Sequence, residues 1–462
     1  MTHVPAGPRL ALPAPSLVVL VGPSGAGKST FARRHFRPTE VVSSDACRAM
    51  IADDETDQYV SPQAFDLLHH VVRERLALNR LTVVDATNVR PEARRPLLGL
   101  ARQHHVVPVA VVFNLPVEVC LARHAARPDR AFPPDVIARH HAGMTESLPG
   151  LMREGFWHVH VLDTPEAVDA TVVERVPLPS DRRADRGPID LGGVVHGCCD
   201  ELEDLLARLG YARTDHVSDP VWGGPTYAHP AGRRAVFLGD LVDRGPRVLD
   251  ALRVARNMVA AGTGLCVVGN HDDKFLRYLD GRNVAVAHGL AATVAELHAL
   301  PDDVRPAFAA AAAEFLGGLV SHHVLDGGAL VVAHAGLPAA MHGRASRAVR
   351  DFALYGATTG GTDEFGLPVR LDWAADYRGA AAVVYGHTPV AAPVWRNGTV
   401  NVDTGCVFGG RLTALGWPER EFVSVPAARA YYPSPRPLPP PAAAGDPDAE
   451  FARGLLPDVP AG

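Results

Sequence analysis

Seven short apolar runs, alternating with helical patterns, constrain this chain more than any other feature of its sequence. SLVVLVG, LTVVDAT and VVPVAVVFN come first, and RAVFLGD, GLCVVGN, ALVVAHAG and AAVVYGH follow. Such runs read as buried strands, and strands alternating with helices give an α/β architecture. The last four share one design, an apolar strand that stops abruptly at Asp240, Asn270, His334 or His387. Open α/β sheets place their sites at those carboxyl ends. A helix is predicted from Pro91, a favoured first helical residue, to Gln103.

Two stretches interrupt the pattern. Residues 177–187 (PLPSDRRADRG) combine charge with turn formers and read as a linker between a first domain over 1–176 and a second over 188–432. Residues 433–462 are too rich in proline and alanine to pack and read as an extended or disordered tail. A length of 462 residues allows two to four domains at roughly 100 to 200 residues each. No run approaches the roughly 20 apolar residues of a membrane span. The start lacks a basic segment followed by a long apolar core, so the chain is expected to be soluble, cytoplasmic and without a membrane partner. Six cysteines without CxxC spacing fit reduced thiols. A formal charge of −6 argues against passive coating of nucleic acid.

Only two of the 45 lysines and arginines are lysines, Lys28 and Lys274. Where arginine has replaced lysine almost everywhere, a surviving lysine marks a position that needs a compact ammonium on a flexible stem. Lys28 lies in Gly22-Pro-Ser24-Gly25-Ala26-Gly27-Lys28-Ser29-Thr30, which follows a strand and opens a helix. That is the context in which GxxxxGK[ST] cradles nucleotide phosphates: glycines let backbone amides converge, the lysine reaches the β- and γ-phosphates, and Ser29 holds Mg²⁺. A second strand ends in Asp45, with Arg48 one helical turn on. Asp45 can deprotonate an attacking hydroxyl while Arg48 holds the acceptor, or Asp45 can simply cap the next helix. Asp85 is open in the same way between a Walker B role and a cap. Arg123, Arg127 and Arg130 form either a lid over the nucleotide or a solvated basic face. His69, His70, His322 and His323 read as surface or packing residues.

The run from Gly22 to Arg130, with SSDACRAMIADDETDQ after the P-loop, resembles the kinase module of the bacterial polynucleotide kinase-phosphatase family, which acts in RNA repair. The resemblance implies ATP and Mg²⁺ on Lys28 and Ser29, Asp45 as general base for a 5′-hydroxyl, Arg48 on the acceptor strand, and Arg123 and Arg127 as lid arginines. Further along, the order His196-Gly197, Gly239-Asp240 to Asp243-Arg244, Gly269-Asn270-His271-Asp272, His334, Gly386-His387 resembles calcineurin-like metallophosphoesterases. HGCCDELEDLLARLGY, LDWAADYRG, VVYGHTPV and NVDTGCVFGGRLTAL extend that likeness to the phosphatase module of the same family.

The fold implied is a P-loop kinase domain, a parallel sheet flanked by helices, followed by an αββα sandwich. By position, Asp240 would bridge two metals, with Mn²⁺ or another divalent ion as cofactor. His196 would serve the first metal, and Asn270, His334 and His387 the second. Arg244 and His271 would bind the substrate phosphate, with Asp403 nearby. The partners implied are nucleic-acid ends, RNA above all, and a separate ligase, because no lysine remains for the lysyl-AMP step of sealing.

One residue departs from the pattern. The family opens this domain with Asp-x-His, and here Val194 precedes Val195-His196. Asp190 stands four residues earlier, roughly 13 Å away along a strand. A natural loss of activity, a slow single-metal enzyme and a sequence variant all fit this change; the expectation is that the second metal site fills and hydrolysis is slow. Two other functions stay open. One is a small-molecule or nucleotide kinase fused to a protein or dinucleoside-polyphosphate phosphatase. The other is an active kinase whose second domain binds phosphate ends without turnover.

Overall fold

In the strand Ser16–Val21 all six side chains are buried, and alternate residues serve opposite faces, as the period of two requires. Val18 and Leu20 pack with Phe31, Val83, Val109 and Val111 on one side. Leu17, Val19 and Val21 pack with Leu68, Val84, Leu97 and Val112 on the other. Each fully buried aliphatic side chain contributes about 1.5–3 kcal/mol. Helices therefore cover both faces, and the computed structural model has the parallel sheet that such strands need. It describes residues 8–126, 133–214 and 222–434.

The chain divides into two units, Met1–Leu178 with Arg344–Val349, and Pro179–Gly343 with Arg350–Gly462. In the first, five parallel strands run in the order Val41–Ser43, Thr82–Asp85, Ser16–Val21, Val107–Phe113, His158–Leu162. The strand order reverses at Ser16–Val21, which puts the P-loop at the crevice where such sheets bind ligands. The predicted helix runs over Pro91–Gln103.

The second unit has two facing sheets. One orders Gly264–Cys266, Arg234–Phe237, Ile189–Gly192, Arg411–Trp417 and Glu421–Pro426. The other orders Trp395–Arg396, Thr399–Asn401, Ala382–Tyr385, Leu330–Ala333, His322–Leu325 and Asp181–Arg182. Ile189, Leu191, Val236 and Leu415 of the first meet Leu330, Val332, Val384 and Val400 of the second in one buried cluster. Helices Cys199–Arg208 and Val248–Ala260 pack on the first sheet.

The stretch read as a linker is partly ordered into this unit: Asp181–Arg182 pairs in parallel with Val324 and Leu325 and closes the edge of the second sheet. Charged side chains suit such an edge, because they discourage pairing with another chain. All but the first two residues of the expected tail lie outside the described residues, as do Arg127 and Arg130. No helix among the described residues is long and apolar enough to cross a membrane. All six cysteines are buried free thiols. His322 and His323 are buried, and burial pulls them to about 3 and about 4, so both are neutral packing residues.

Candidate active sites

The strand Ser16–Val21 ends at Gly22, and the loop to Gly27 turns through two left-handed glycines, Gly25 at φ 82° and Gly27 at φ 96°. A Cβ on Gly25 would lie 2.4 Å from the Cys120 carbonyl oxygen, so no other residue fits there. Lys28 opens the helix Lys28–His35, and its ammonium donates to the carbonyls of Gly22 and Pro23, both at 2.8 Å. Ser29 donates to the Asp85 carboxylate. Burial pushes Asp85 up, Lys28 and the Ser29 bond pull it down, and Asp45 raises it again. Lys28, Ser29, Asp45 and Asp85 therefore share one electrostatic neighbourhood. Asp85 is no cap, since the following helix begins at Pro91 with Arg90 in the cap position and no side-chain cap bond.

Asp45 is not a cap either. The helix Ser44–Ala52 is capped by Ser43, whose hydroxyl accepts from the Ala46 amide, and Asp45 sits in the first turn. Arg48 pairs with it at 2.7 Å and donates to the Ser61 hydroxyl at 3.1 Å. Its guanidinium thus orients Asp45 besides whatever it offers an acceptor. Arg123 reaches back over the loop to the Gly25 carbonyl at 3.5 Å. Gly22 and Ala26 are buried, Ser24 is half-buried and Thr30 is exposed.

In the second unit the ligand candidates gather from both sheets. His334 Nδ1 donates to the Leu238 carbonyl at 2.8 Å, so in the neutral imidazole Nε2 carries the lone pair. That lone pair faces Asn270 Oδ1 at 3.0 Å, His387 Nδ1 at 2.9 Å and Asp240 Oδ2 at 3.3 Å. Four donors converging without enough protons to separate them fit a divalent cation. Burial raises Asp240, but His334, His271 and His196 pull it well below the usual carboxylate range, so it is an anion.

The first position is different. His196 Nδ1 faces the Val242 carbonyl at 2.9 Å, and its Nε2 stands 3.6 Å from Asp240 Oδ2. Val194 offers no donor; its Cγ2 would lie 2.9 Å from a Cβ on Gly386. Asp190 is committed elsewhere, accepting from Arg233 at 2.8 Å and from the Tyr211 hydroxyl at 2.9 Å. Arg244 meets His196 Nε2 at 2.6 Å and His271 Nε2 at 2.9 Å. His271 is oriented by Asp243, 2.6 Å from its Nδ1. Asp403 lines the same cavity of about 460 Å³. It accepts from the Gly405 amide at 3.0 Å, and burial pushes it up to about 6. Lys274 donates to the Ala287 carbonyl at 2.7 Å and lies within electrostatic reach of Asp243 and Arg244.

Several positioning residues carry no role in the sequence reading. Asp272, fully buried, accepts the amides of Asp240 and Gly269 through Oδ2 at 2.8 and 2.9 Å and that of Leu241 through Oδ1 at 2.9 Å. Thr293 donates to Asp243. The hairpin of Thr358–Thr362 and Pro368–Arg370 brings Pro368 and Arg370 to the cavity. Asp272 follows directly on Asn270-His271 and could have been found there, whereas nothing in the sequence marks Thr293. Replacing Asp272 by Ala strands three buried amides. We expect a loss of about 3–5 kcal/mol, read as a lower urea midpoint for the second unit.

Residues 17–151 match the AAA domain family, and residues 193–391 match the calcineurin-like phosphoesterase family. The chain is 44% identical over 242 residues to a protein of Anoxybacillus flavithermus called asymmetrical bis(5′-nucleosyl)-tetraphosphatase PrpE, covering 52% of this chain and 95% of that one. The protein of that name from Bacillus subtilis is also 44% identical over 242 residues, covering 52% and 96%. A solved structure described as a putative diadenosine tetraphosphatase covers 54% of this chain and 96% of its own, with 25% identity and a TM-score of 0.37.

Proposed function

Since the chain belongs, through its second unit, to the calcineurin-like phosphoesterase family and carries a P-loop domain before it, we propose that it repairs broken polynucleotide ends. The first unit would phosphorylate a 5′-hydroxyl with ATP, and the second would remove a 3′-phosphate or open a 2′,3′-cyclic phosphate. The observation that carries this reading is the Asp45–Arg48 pair beside Lys28 and Ser29. A nucleotide-binding loop alone needs no such base.

Asp45 takes the proton of the attacking hydroxyl, whose oxygen forms the new bond to the γ-phosphorus as the bond to ADP breaks. Lys28 and the loop amides stabilise charge on the phosphates, and Arg123 lies over the same loop. Mg²⁺ held through Ser29 and Asp85 would supply further positive charge at the β- and γ-oxygens. In the second unit, Asn270, His334, His387 and Asp240 would hold a divalent metal, which supplies Lewis acidity and an activated water. Arg244 binds the phosphate, and His271, oriented by Asp243, assists the leaving group.

A second reading, hydrolysis of dinucleoside tetraphosphates by the second unit, is favoured by the names of the 44%-identical relatives. The deciding experiment incubates the protein with ATP, Mg²⁺ and Mn²⁺ and either an RNA carrying 5′-hydroxyl and 2′,3′-cyclic phosphate ends, free nucleosides, or diadenosine tetraphosphate. We expect label on the RNA 5′ end and slow loss of the cyclic phosphate. Turnover confined to nucleosides or to diadenosine tetraphosphate would overturn the end-repair reading.

A further inference from the structure

The family's first metal position does not fit a metal in this chain. Its carboxylate is replaced by Val194, 4% exposed and wholly apolar. What remains is His196 Nε2, His271 Nε2 and a share of Asp240, which must also serve the second position. Three donors, one of them shared, fall short of the four to six that divalent ions take, and a cation already covers the two nitrogens. The lone pair of His196 is nevertheless not unmatched: the Arg244 guanidinium covers it at 2.6 Å and covers His271 Nε2 at 2.9 Å with its other terminal nitrogen.

Arg244 is fixed there from several sides. Its backbone is left-handed, at φ 70°, and its amide donates to the Gly289 carbonyl at 3.2 Å. Its guanidinium lies over the rings of Phe408 and Tyr432, at 5.3 and 5.8 Å from their centroids. A Cβ on Gly289 would sit 2.3 Å from Arg244 Cγ, so the side chain runs in a channel only glycine leaves open.

We propose that the Arg244 guanidinium stands in for the first metal, so that this phosphoesterase site operates with one metal and one guanidinium. The inference rests on the second unit being a phosphate-binding site, and it deepens that reading. Chemistry sets the cost. A guanidinium can grip two phosphate oxygens in its fixed fork, but it does not acidify water as a metal does. The pocket should therefore bind phosphate well and hydrolyse its esters slowly.

The test counts metals and measures phosphate binding, neither of which depends on which ester is turned over. Mn²⁺ is titrated into the full chain and followed by calorimetry and electron paramagnetic resonance. The parent is expected to bind one Mn²⁺ with an uncoupled six-line signal, and Val194→Asp to bind two with an exchange-broadened signal. Affinity for inorganic phosphate is then compared across Arg244→Ala in both backgrounds. Arg244→Ala should cost about tenfold or more in the parent, and clearly less in Val194→Asp, where a second metal supplies the charge. Two exchange-coupled Mn²⁺ in the parent, which needs no variant to fold, would overturn the proposal and point to Asp403 as a replacement ligand. Equal losses on both backgrounds would overturn it as well. Failure of every tested ester to react, with one Mn²⁺ and intact phosphate binding, would sink the hydrolytic part of the end-repair reading and leave this one standing.

Discussion

Lys28→Ala should reduce ATP-dependent phosphotransfer about 10²- to 10³-fold while leaving Mn²⁺ binding by the second unit unchanged. The ammonium is buried at the turn of the phosphate loop and already aimed by two carbonyls of that loop, so it reaches the transferring group without reorganising. Alanine removes the only cation that the loop itself supplies. Arg123 contacts the loop from a different helix and cannot move into its place. The check is γ-phosphate transfer from labelled ATP to a 5′-hydroxyl oligonucleotide, beside a Mn²⁺ titration of the same preparation. A loss under about tenfold would remove Lys28 from the chemistry, because a mere packing role for a buried lysine gives effects of that size or less.

Asp240→Asn should be as severe in the second unit. Asp240 is the one carboxylate common to the two donor groups, His196–Asp240–His271 and Asp240–His334–His387. Asparagine keeps an oxygen to accept the His271 amide, which Asp240 Oδ1 does now at 2.9 Å, so the loop geometry survives. What disappears is the negative charge that three histidines hold in place. Mn²⁺ affinity and ester hydrolysis should each fall about 100-fold or more, with little change in thermal stability of the metal-free protein. Calorimetry gives the first quantity and a phosphatase assay the second. Hydrolysis that persisted after metal binding was lost would show that the two functions are separate.

The residues that gather at the two candidate sites were legible in the sequence, and those that aim them were mostly not. Gly22 to Thr30 is a local motif, and each of Asp240, Asn270, His334 and His387 ends an apolar run, where a polar side chain stands out. The ambiguity at Asp45 and Asp85 could not be resolved from the chain alone, because a helix cap and a catalytic carboxylate occupy the same place in a strand–helix junction. Only the Ser43 cap and the neighbourhood of Lys28 separate them. Asp272 and Thr293 act on backbone amides and on another side chain, and such partners follow from the fold rather than from spacing. Val194 was visible as a missing carboxylate, but its counterpart was not. That Arg244 turns onto His196 depends on Gly289, 45 positions away, leaving room for its stem.

The metal candidates of the second unit come from strand ends in both of its sheets: Asp240 and Asn270 from one, His334 and His387 from the other. No pair from different sheets is close along the chain, so the unfolded chain offers no pre-formed chelate. A cation binding there acts as a clasp between the sheets, and its whole binding free energy counts toward keeping them together, as RT ln(1 + [M]/Kd). Metal supply would thereby bear on the lifetime of this half of the protein as well as on its rate, and with one clasp rather than two that dependence would run through a single ion.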